Sequence, residues 1–355
     1  MSYANQLGGL FVVGFEGTSL TSDLRSLLLD LKPAGVILFS RNVESPEQVA
    51  QFNHDLQTLA LKNWSNGFFI GVDQEGGRVR RLRSPFLSCP SARQLARAAN
   101  SETLIRSYSS VSAHQLGLLG FNTNFVPVLD LVDESSQDLG SVIGDRSYGN
   151  DPEVVTRYGK AVVESLRTAG IISCAKHFPG HGGTSVDSHL DLPIDTRSRK
   201  ALESHDMIPF KLLAGNGVDM IMTAHVLYPA LDAKLPATLS KTIVEGLLRG
   251  EIGYNGVVIT DDLQMGAITN HYDSLECARL ALIAGADLLL FSRHPEKTLM
   301  VRDGLHHDLN NGELPPERVA KSLCRVMNLK DRYESSMVPT DIYAAADYFR
   351  LGKQS

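Results

Sequence analysis

Several marks of other protein classes are missing from this sequence. It has no excess of positive charge: 34 Lys and Arg stand against 40 Asp and Glu, a net charge of −6. With a pI near 6.0 and no basic stripe, nucleic acid is not an expected partner. No apolar run approaches the ~20 residues of a membrane span. The opening MSYANQLGGLFVVGF lacks a basic segment, and its apolar run is too short for a secretory signal. A cytoplasmic location away from membranes is therefore expected. Cysteine is scarce, and Cys89, Cys174, Cys277 and Cys324 show no CxxC or zinc-type spacing. Scattered cysteines in such a chain read as reduced thiols. There is also no repeat, low-complexity tract or linker to divide the chain.

What is present is a balance of 43% hydrophobic and 21% charged residues over 355 positions, which suits a water-soluble enzyme. Short β-branched runs alternate with helical patterns. GLFVVGF, GVILFS, FFIGVDQEGG, TNFVPVLDL, IISCAKHF, DMIMTAHV, GVVITDD and DLLLFS read as strands, each followed by a helical stretch. Ser45 followed by Pro46 reads as the start of one such helix. Eight β/α alternations predict a (β/α)8 TIM-type barrel forming one domain over residues 1–340, with a short helical tail over 341–355. A doubly wound sheet of eight strands is the other fold the pattern permits.

A parallel barrel carries its site at the C-terminal ends of its strands. The third strand ends in Asp73, followed by QEGGRVRRLR. Asp145 and Arg146 of GDRSYG follow the fourth. The fifth ends in Lys176 and His177, the sixth in His225, and the seventh in Thr260, Asp261 and Asp262. Five consecutive strands thus send ionisable groups to one face. Each residue alone has a structural explanation, such as a helix cap or an ion pair, so the coincidence carries the argument. Asp261 closes a run that should be buried, where a carboxylate is held rigidly and partly desolvated, as a nucleophile requires. Asp262 is its rival, and either one caps the next helix if the role is structural. The loop KHFPGHGGTSVDSHLDLP, Lys176 to Pro193, admits a metal reading through His177, His181, Asp187, His189 and Asp191. However, no HExxH-like spacing supports it, and no metal is expected.

Three stretches give the chain a family resemblance. KHFPGHGGTSVDSH (176–189) resembles the acid/base loop of the family 3 glycoside hydrolases, specifically the bacterial β-N-acetylhexosaminidases of peptidoglycan recycling. LLRGEIGYNGVVITDDL (247–263) is similar to that family's nucleophile signature. GVDQEGGRVRRL (71–82) and GDRSYG (144–149) look like its sugar-binding loops. The resemblance covers roughly residues 8–330. It implies Asp261 as nucleophile, His189 as general acid/base with Asp187 as its partner, and Asp73, Arg81, Arg146, Lys176 and His177 as ligands of an N-acetylglucosamine unit. It implies no cofactor and a muropeptide or chito-oligosaccharide as substrate; a monomer is expected, though the sequence itself leaves the oligomeric state open. Two positions depart from the pattern: Gly183 stands where Asp or Asn is usual, and Gln264 where a small residue is preferred.

The activity so implied is that of a retaining exo-β-N-acetylglucosaminidase, removing N-acetylglucosamine from fragments that carry anhydro-N-acetylmuramic acid. A phosphorylase using the same covalent intermediate and a non-catalytic sugar-binding barrel are the alternatives. Retaining glycosidases ordinarily pair two carboxylates. Here a histidine replaces one, and it must be imidazolium in the first step and a neutral base in the second. An adjacent Asp187 favours the charged form and orients the ring. Gly180, Gly182 and Gly183 read as hinges for closure of the loop over substrate.

Overall fold

In the computed structural model, which describes residues 3–64, 66–132, 142–184 and 191–351, the eight strands close into a parallel barrel. They are β1 Phe11–Val13, β2 Gly35–Leu38, β3 Phe69–Val72, β4 Thr123–Asn124, β5 Ile172–Phe178, β6 Met220–Thr223, β7 Val257–Asp262 and β8 Leu288–Phe291. Each strand pairs with its neighbours in sequence, and β8 returns to β1 through Phe11–Leu289 and Val13–Phe291. The doubly wound alternative is thereby excluded, because an open sheet leaves two edges and this one has none.

The sequence pattern locates every strand but not its length. β4 was expected over Thr123–Leu131 and shortens to two residues. Pro127 has no N–H to give the ladder, and beyond Asn124 the chain keeps to its neighbour through single bonds: Cys174 N donates to the Val126 carbonyl at 2.9 Å, Lys176 N to the Pro127 carbonyl at 3.0 Å and Leu129 N to the Lys176 carbonyl at 2.7 Å, around the Val128–Lys176 bridge. The expected third strand stops at Val72, and Gln74–Gly76 then turns back on Val79–Arg80 as an antiparallel hairpin. The helix expected to follow β5 breaks into Arg199–Ser204 and Ile208–Gly215, with Pro209 in the first turn of the second piece. The helix expected before β7 is wound as a π-helix over Thr242–Glu251. Ser45 caps Pro46–Asn63 as the sequence indicates, its hydroxyl accepting from Gln48 N at 3.1 Å.

Strand alternation sets what fills the barrel and what reaches its mouth. Val12, Ile37, Phe69, Ile172, Cys174, Met220, Met222, Val257, Ile259, Leu288 and Leu290 form one buried cluster inside it. Successive residues of a strand point to opposite faces. The inward series Ile172–Cys174 therefore continues to Lys176, Val257–Ile259 continues to Asp261, and Phe69–Gly71 continues to Asp73. The apolar layers end where these three charged groups begin. Val326 and Leu329 of the helix Pro316–Arg332, with Tyr333 and Met337, join the same cluster and close the opposite end. The last helix, Ile342–Leu351, lies against Pro46–Asn63, and Phe349 meets Phe86 edge-on with ring centroids 5.1 Å apart. No helix among the described residues is long and apolar enough to cross a membrane.

Candidate active site

Three strands build a ladder of alternating charge across the mouth. Arg81 Nη2 donates to Asp73 Oδ2 at 3.1 Å, and Lys176 Nζ to Asp73 Oδ1 at 2.8 Å. Lys176 also reaches Glu75 at 2.7 Å, and Arg146 grips Glu75 with two bonds of 2.8 Å. Both bonds of the Arg146–Glu75 fork are charge-assisted, and together they fix orientation as well as distance. Lys176 has a side chain only 3% exposed; it stays charged because Asp73 and Glu75 outweigh its burial and hold its pKa above the ordinary value. Burial pushes the Glu75 carboxyl up, but Arg146 and Lys176 pull it down to about 2. Burial likewise opposes, and Lys176 and Arg81 likewise decide, a strongly lowered Asp73.

A second hub centres on Asp130, which is fully buried. One oxygen accepts the backbone N–H groups of His177 and His181 at 3.1 and 2.8 Å, and the other lies 2.6 Å from His177 Nδ1. The Asp130–Nδ1 contact leaves Nε2 as the ring nitrogen free to address the mouth. Burial would raise the Asp130 carboxyl, but His177 and His181 hold it near 2. Burial and the neighbouring His177 lower His181 to about 4, and its Nδ1 lies 2.8 Å from Thr184 Oγ1.

Strand parity gives the two aspartates of β7 different surroundings. Asp262 belongs to the outward series of Val258 and Thr260. Its Oδ1 accepts the Gln264 and Ser292 amides, each at 3.1 Å, and its Oδ2 accepts the Ser292 hydroxyl. Burial leaves its pKa raised despite these bonds. Asp262 thus ties β7 to the end of β8. Asp261 belongs to the inward series and accepts the Asp262 amide at 2.8 Å. Burial acts to raise its pKa, but His177, His225, the Asp262 amide and Lys176 together lower it. His225, named in the sequence at the end of the sixth strand, is buried behind this pair. Its Nε2 lies 3.0 Å from the Asp262 carbonyl and its Nδ1 2.8 Å from Thr238 Oγ1.

Asp73, Arg81, Arg146, Lys176, His177 and Asp261 line one cavity of about 640 Å³, with Glu75, Asp262 and His181. The volume lies in the range of small-ligand sites. The sequence reading omitted Glu75 and Asp130. Glu75 stands two residues beyond Asp73, inside a stretch that reads as a Gly-rich turn. Asp130 ends the apolar run of the fourth strand as Asp261 ends that of the seventh, and the same rule applied there finds it. Asp187 and His189 lie outside the described residues. Among the described residues no group of three His, Cys, Asp or Glu side chains is placed to hold a metal; Asp191, a candidate ligand in the sequence, pairs with His271 at 2.9 Å.

Two of the glycines read as hinges, Gly182 and Gly183, stand at points of close packing. A Cβ on Gly182 would stand 1.7 Å from the Leu131 carbonyl oxygen, and one on Gly183 2.3 Å from the Arg197 guanidinium. That guanidinium is clamped between the buried Asp195 and Asp206, so it accounts for the small residue at position 183.

The family described as glycosyl hydrolase family 3 N terminal domain matches residues 4–329. A beta-hexosaminidase of Alkalilimnicola ehrlichii is 42% identical over 293 residues, 81% of this chain and 82% of that protein. One of Pseudomonas aeruginosa is 36% identical over 280 residues, 79% of this chain and 81% of that protein. Among solved structures, the family 3 beta-N-acetylglucosaminidase of Paenibacillus sp. FPU-7 superposes with a TM-score of 0.89 at 40% identity, covering 94% of this chain but 63% of that one. NagZ of Neisseria gonorrhoeae, solved in complex with N-trifluoroacetyl-D-glucosamine, superposes with a TM-score of 0.77 at 31% identity, covering 97% of this chain and 98% of that one.

Proposed function

Because the chain belongs to glycosyl hydrolase family 3 and is a glycoside hydrolase of the β-hexosaminidase kind, we propose that it is a retaining exo-β-N-acetylglucosaminidase. Its substrates are peptidoglycan fragments in which terminal N-acetylglucosamine is β-linked to anhydro-N-acetylmuramic acid. It acts as a cytoplasmic monomer. The observation that carries the reading is Asp261: an ionised carboxylate on the inward face of β7, in the same cavity as the charged ladder.

In the reaction, one Asp261 carboxylate oxygen attacks the anomeric carbon while the bond to the aglycone oxygen breaks. The His189 imidazolium delivers its proton to that oxygen, and Asp187 steadies the ring. A covalent glycosyl ester on Asp261 results. The now neutral His189 then takes a proton from water, the water oxygen bonds to the anomeric carbon, and the Asp261 carboxylate leaves. Asp73, Arg81, Arg146, Lys176 and His177 hold the sugar through its hydroxyl groups. Their fixed geometry suits this role, since groups already locked to one another need not reorganise when substrate binds. Arg81 supports it further: its Nε is buried with no acceptor among the described residues, and a buried donor ordinarily has a partner.

A mechanism-based label tests the assignment. Incubation with 5-fluoro-N-acetylglucosaminyl fluoride, followed by proteolysis and mass spectrometry, should place the added sugar on the peptide containing Asp261. A label on another residue refutes the nucleophile, and failure to hydrolyse any β-N-acetylglucosaminide refutes the activity.

A further inference from the structure

Alternation along β5 sends Lys176 toward the barrel axis and His177 the other way. His177 nevertheless lines the cavity, at a point where the register of β5 against β6 shifts between Ala175 and Phe178. The strand alone therefore does not set the direction of its ring. The group that meets the ring is Asp130, which lies beyond the end of β4. Its side chain is fully buried, and it is not among the residues that line the cavity. Asp130 does not reach a bound sugar, so its effect on the reaction passes through a neighbour.

The two oxygens of this carboxylate do different work. Oδ1 accepts the backbone amides of His177 and His181, two donors that cannot turn into acceptors. Oδ2 lies 2.6 Å from His177 Nδ1. A proton must lie between those two atoms, because facing lone pairs at that distance repel. Burial would raise the Asp130 carboxyl, but His177 and His181 hold it at about 2, so the proton belongs to Nδ1. Nε2 has no hydrogen-bond partner among the described residues and is the ring atom left for the cavity. With Nδ1–H given to Asp130, an uncharged ring presents a lone pair at Nε2. The neighbouring ladder is rich in donors, Arg81, Arg146 and Lys176, and these already occupy the carboxylates of Asp73 and Glu75. A sugar hydroxyl both donates and accepts, and it needs an acceptor as well as these cations.

We propose that Asp130 is a positioning residue of the glycosidase site: it fixes the tautomer and direction of the His177 ring and so makes Nε2 a hydrogen-bond acceptor for a sugar hydroxyl. The inference rests on the reading of His177 as a sugar ligand, and adds what that ligand does and what sets it.

Asp130→Asn separates the tautomer from the scaffold. The two backbone amides keep the remaining carbonyl oxygen on their side, so the new NH2 faces Nδ1. Nδ1 must then accept, and the proton moves to Nε2, the wrong-tautomer effect known for buried Asp–His pairs. His177→Asn supplies the second arm: its amide nitrogen stands where Nδ1 stands, and it has no counterpart of Nε2. Heteronuclear NMR of histidine-labelled protein at the assay pH, with His177→Asn identifying the His177 signals, should find a proton on wild-type Nδ1 and none on Nε2. Asp130→Asn should show the reverse. On an aryl N-acetylglucosaminide, Asp130→Asn should lose roughly 10- to 100-fold in kcat/KM. In a His177→Asn background the same change should cost less than about twofold, because the two residues act as one unit. A proton on wild-type Nε2, a measurement that needs no folded Asp130→Asn protein, overturns the proposal. So does a loss in Asp130→Asn that is undiminished in the His177→Asn background, which would make Asp130 a scaffold residue. Both outcomes leave the glycosidase reading standing. Wild-type kcat/KM in His177→Asn removes His177 from the sugar ligands and this inference with it.

Discussion

At the scale of single residues, the two adjacent aspartates of β7 show how position decides chemistry. Both line the cavity, but Asp262 spends its oxygens on Gln264 and Ser292, whereas Asp261 belongs to the inward series of β7. On the proposed mechanism Asp261 alone forms the ester, so replacing it with Ala should lower kcat/KM on an N-acetylglucosaminide by roughly three orders of magnitude or more. Asp262→Asn keeps an oxygen for the two amides and should cost far less; steady-state rates of the two variants, with melting curves to confirm folding, check the contrast. The proposed proton carrier gives a second prediction. His189→Ala should lose ~10²–10⁴-fold on glycosides with poor leaving groups and much less on activated aryl glycosides, which need little protonation. In Asp187→Ala the imidazole loses the charge that favours its protonated form, so the rate on poor leaving groups should begin to fall at lower pH than in the wild type. A leaving-group series across pH reads both effects, and equal losses for both classes of glycoside reduce His189 to a structural role. Asp261, Lys176 and Asp73 were legible because each ends a buried run whose parity points inward. Asp130 obeys the same rule but sits past Pro127, where the strand pattern breaks down. Glu75 was hidden because pairing across β3, β4 and β5 is a matter of three dimensions that no local pattern records.

Among the elements, the stem of the loop after β5 is the most tightly determined. Periodicity identified the strand, but not the close packing of Gly182 and Gly183 beyond it. Such proximity is invisible in a single sequence, because the partners, Leu131 and Arg197, come from other parts of the chain. Gly182→Ala must push back the Leu131 carbonyl. Leu131 follows Asp130, which holds both His177 and His181, so the strain passes directly to the site. Overpacking of this kind costs ~1–3 kcal/mol. The variant should therefore melt several degrees lower and also lose activity when assayed well below its melting temperature. A lowered melting point with unchanged kcat/KM would disconnect the stem from the His177 hub. Irregular elements were the least legible: the π-helix before β7 carries ordinary helical periodicity in its sequence, and the break between Ser204 and Ile208 falls where Pro209 is compatible with either a helix start or an interruption.

For the whole molecule, the eightfold alternation was enough to name the barrel, since sequential parallel strands close only one way when each pairs with the next. What alternation could not show is how the two ends divide the work. The mouth carries the charged ladder, while the far end is closed by apolar side chains of Pro316–Arg332, by the buried Asp287 and Asp219 with their arginine partners, and by one buried amine. Lys330 Nζ donates to the Gly67 carbonyl at 2.6 Å and lies 5.0 Å from the centre of the Phe69 ring. Burial pushes its pKa down to about 7, against roughly 10.4 in an unfolded chain. The sign of the linkage follows. Above the unfolded value neither state holds the proton, and below about 7 both do. Between those limits only the unfolded chain binds it, so this group makes stability rise with pH from near 7 toward 10. Lys330→Met removes the titration while keeping most of the side-chain volume. Chemical denaturation at pH 7, 8 and 9 should show the wild type gaining stability relative to the variant at each step, with the other titrating groups cancelling in the difference. Parallel stability profiles for the two proteins would mean that the amine keeps its proton on folding, held by the Gly67 carbonyl and the Phe69 ring face.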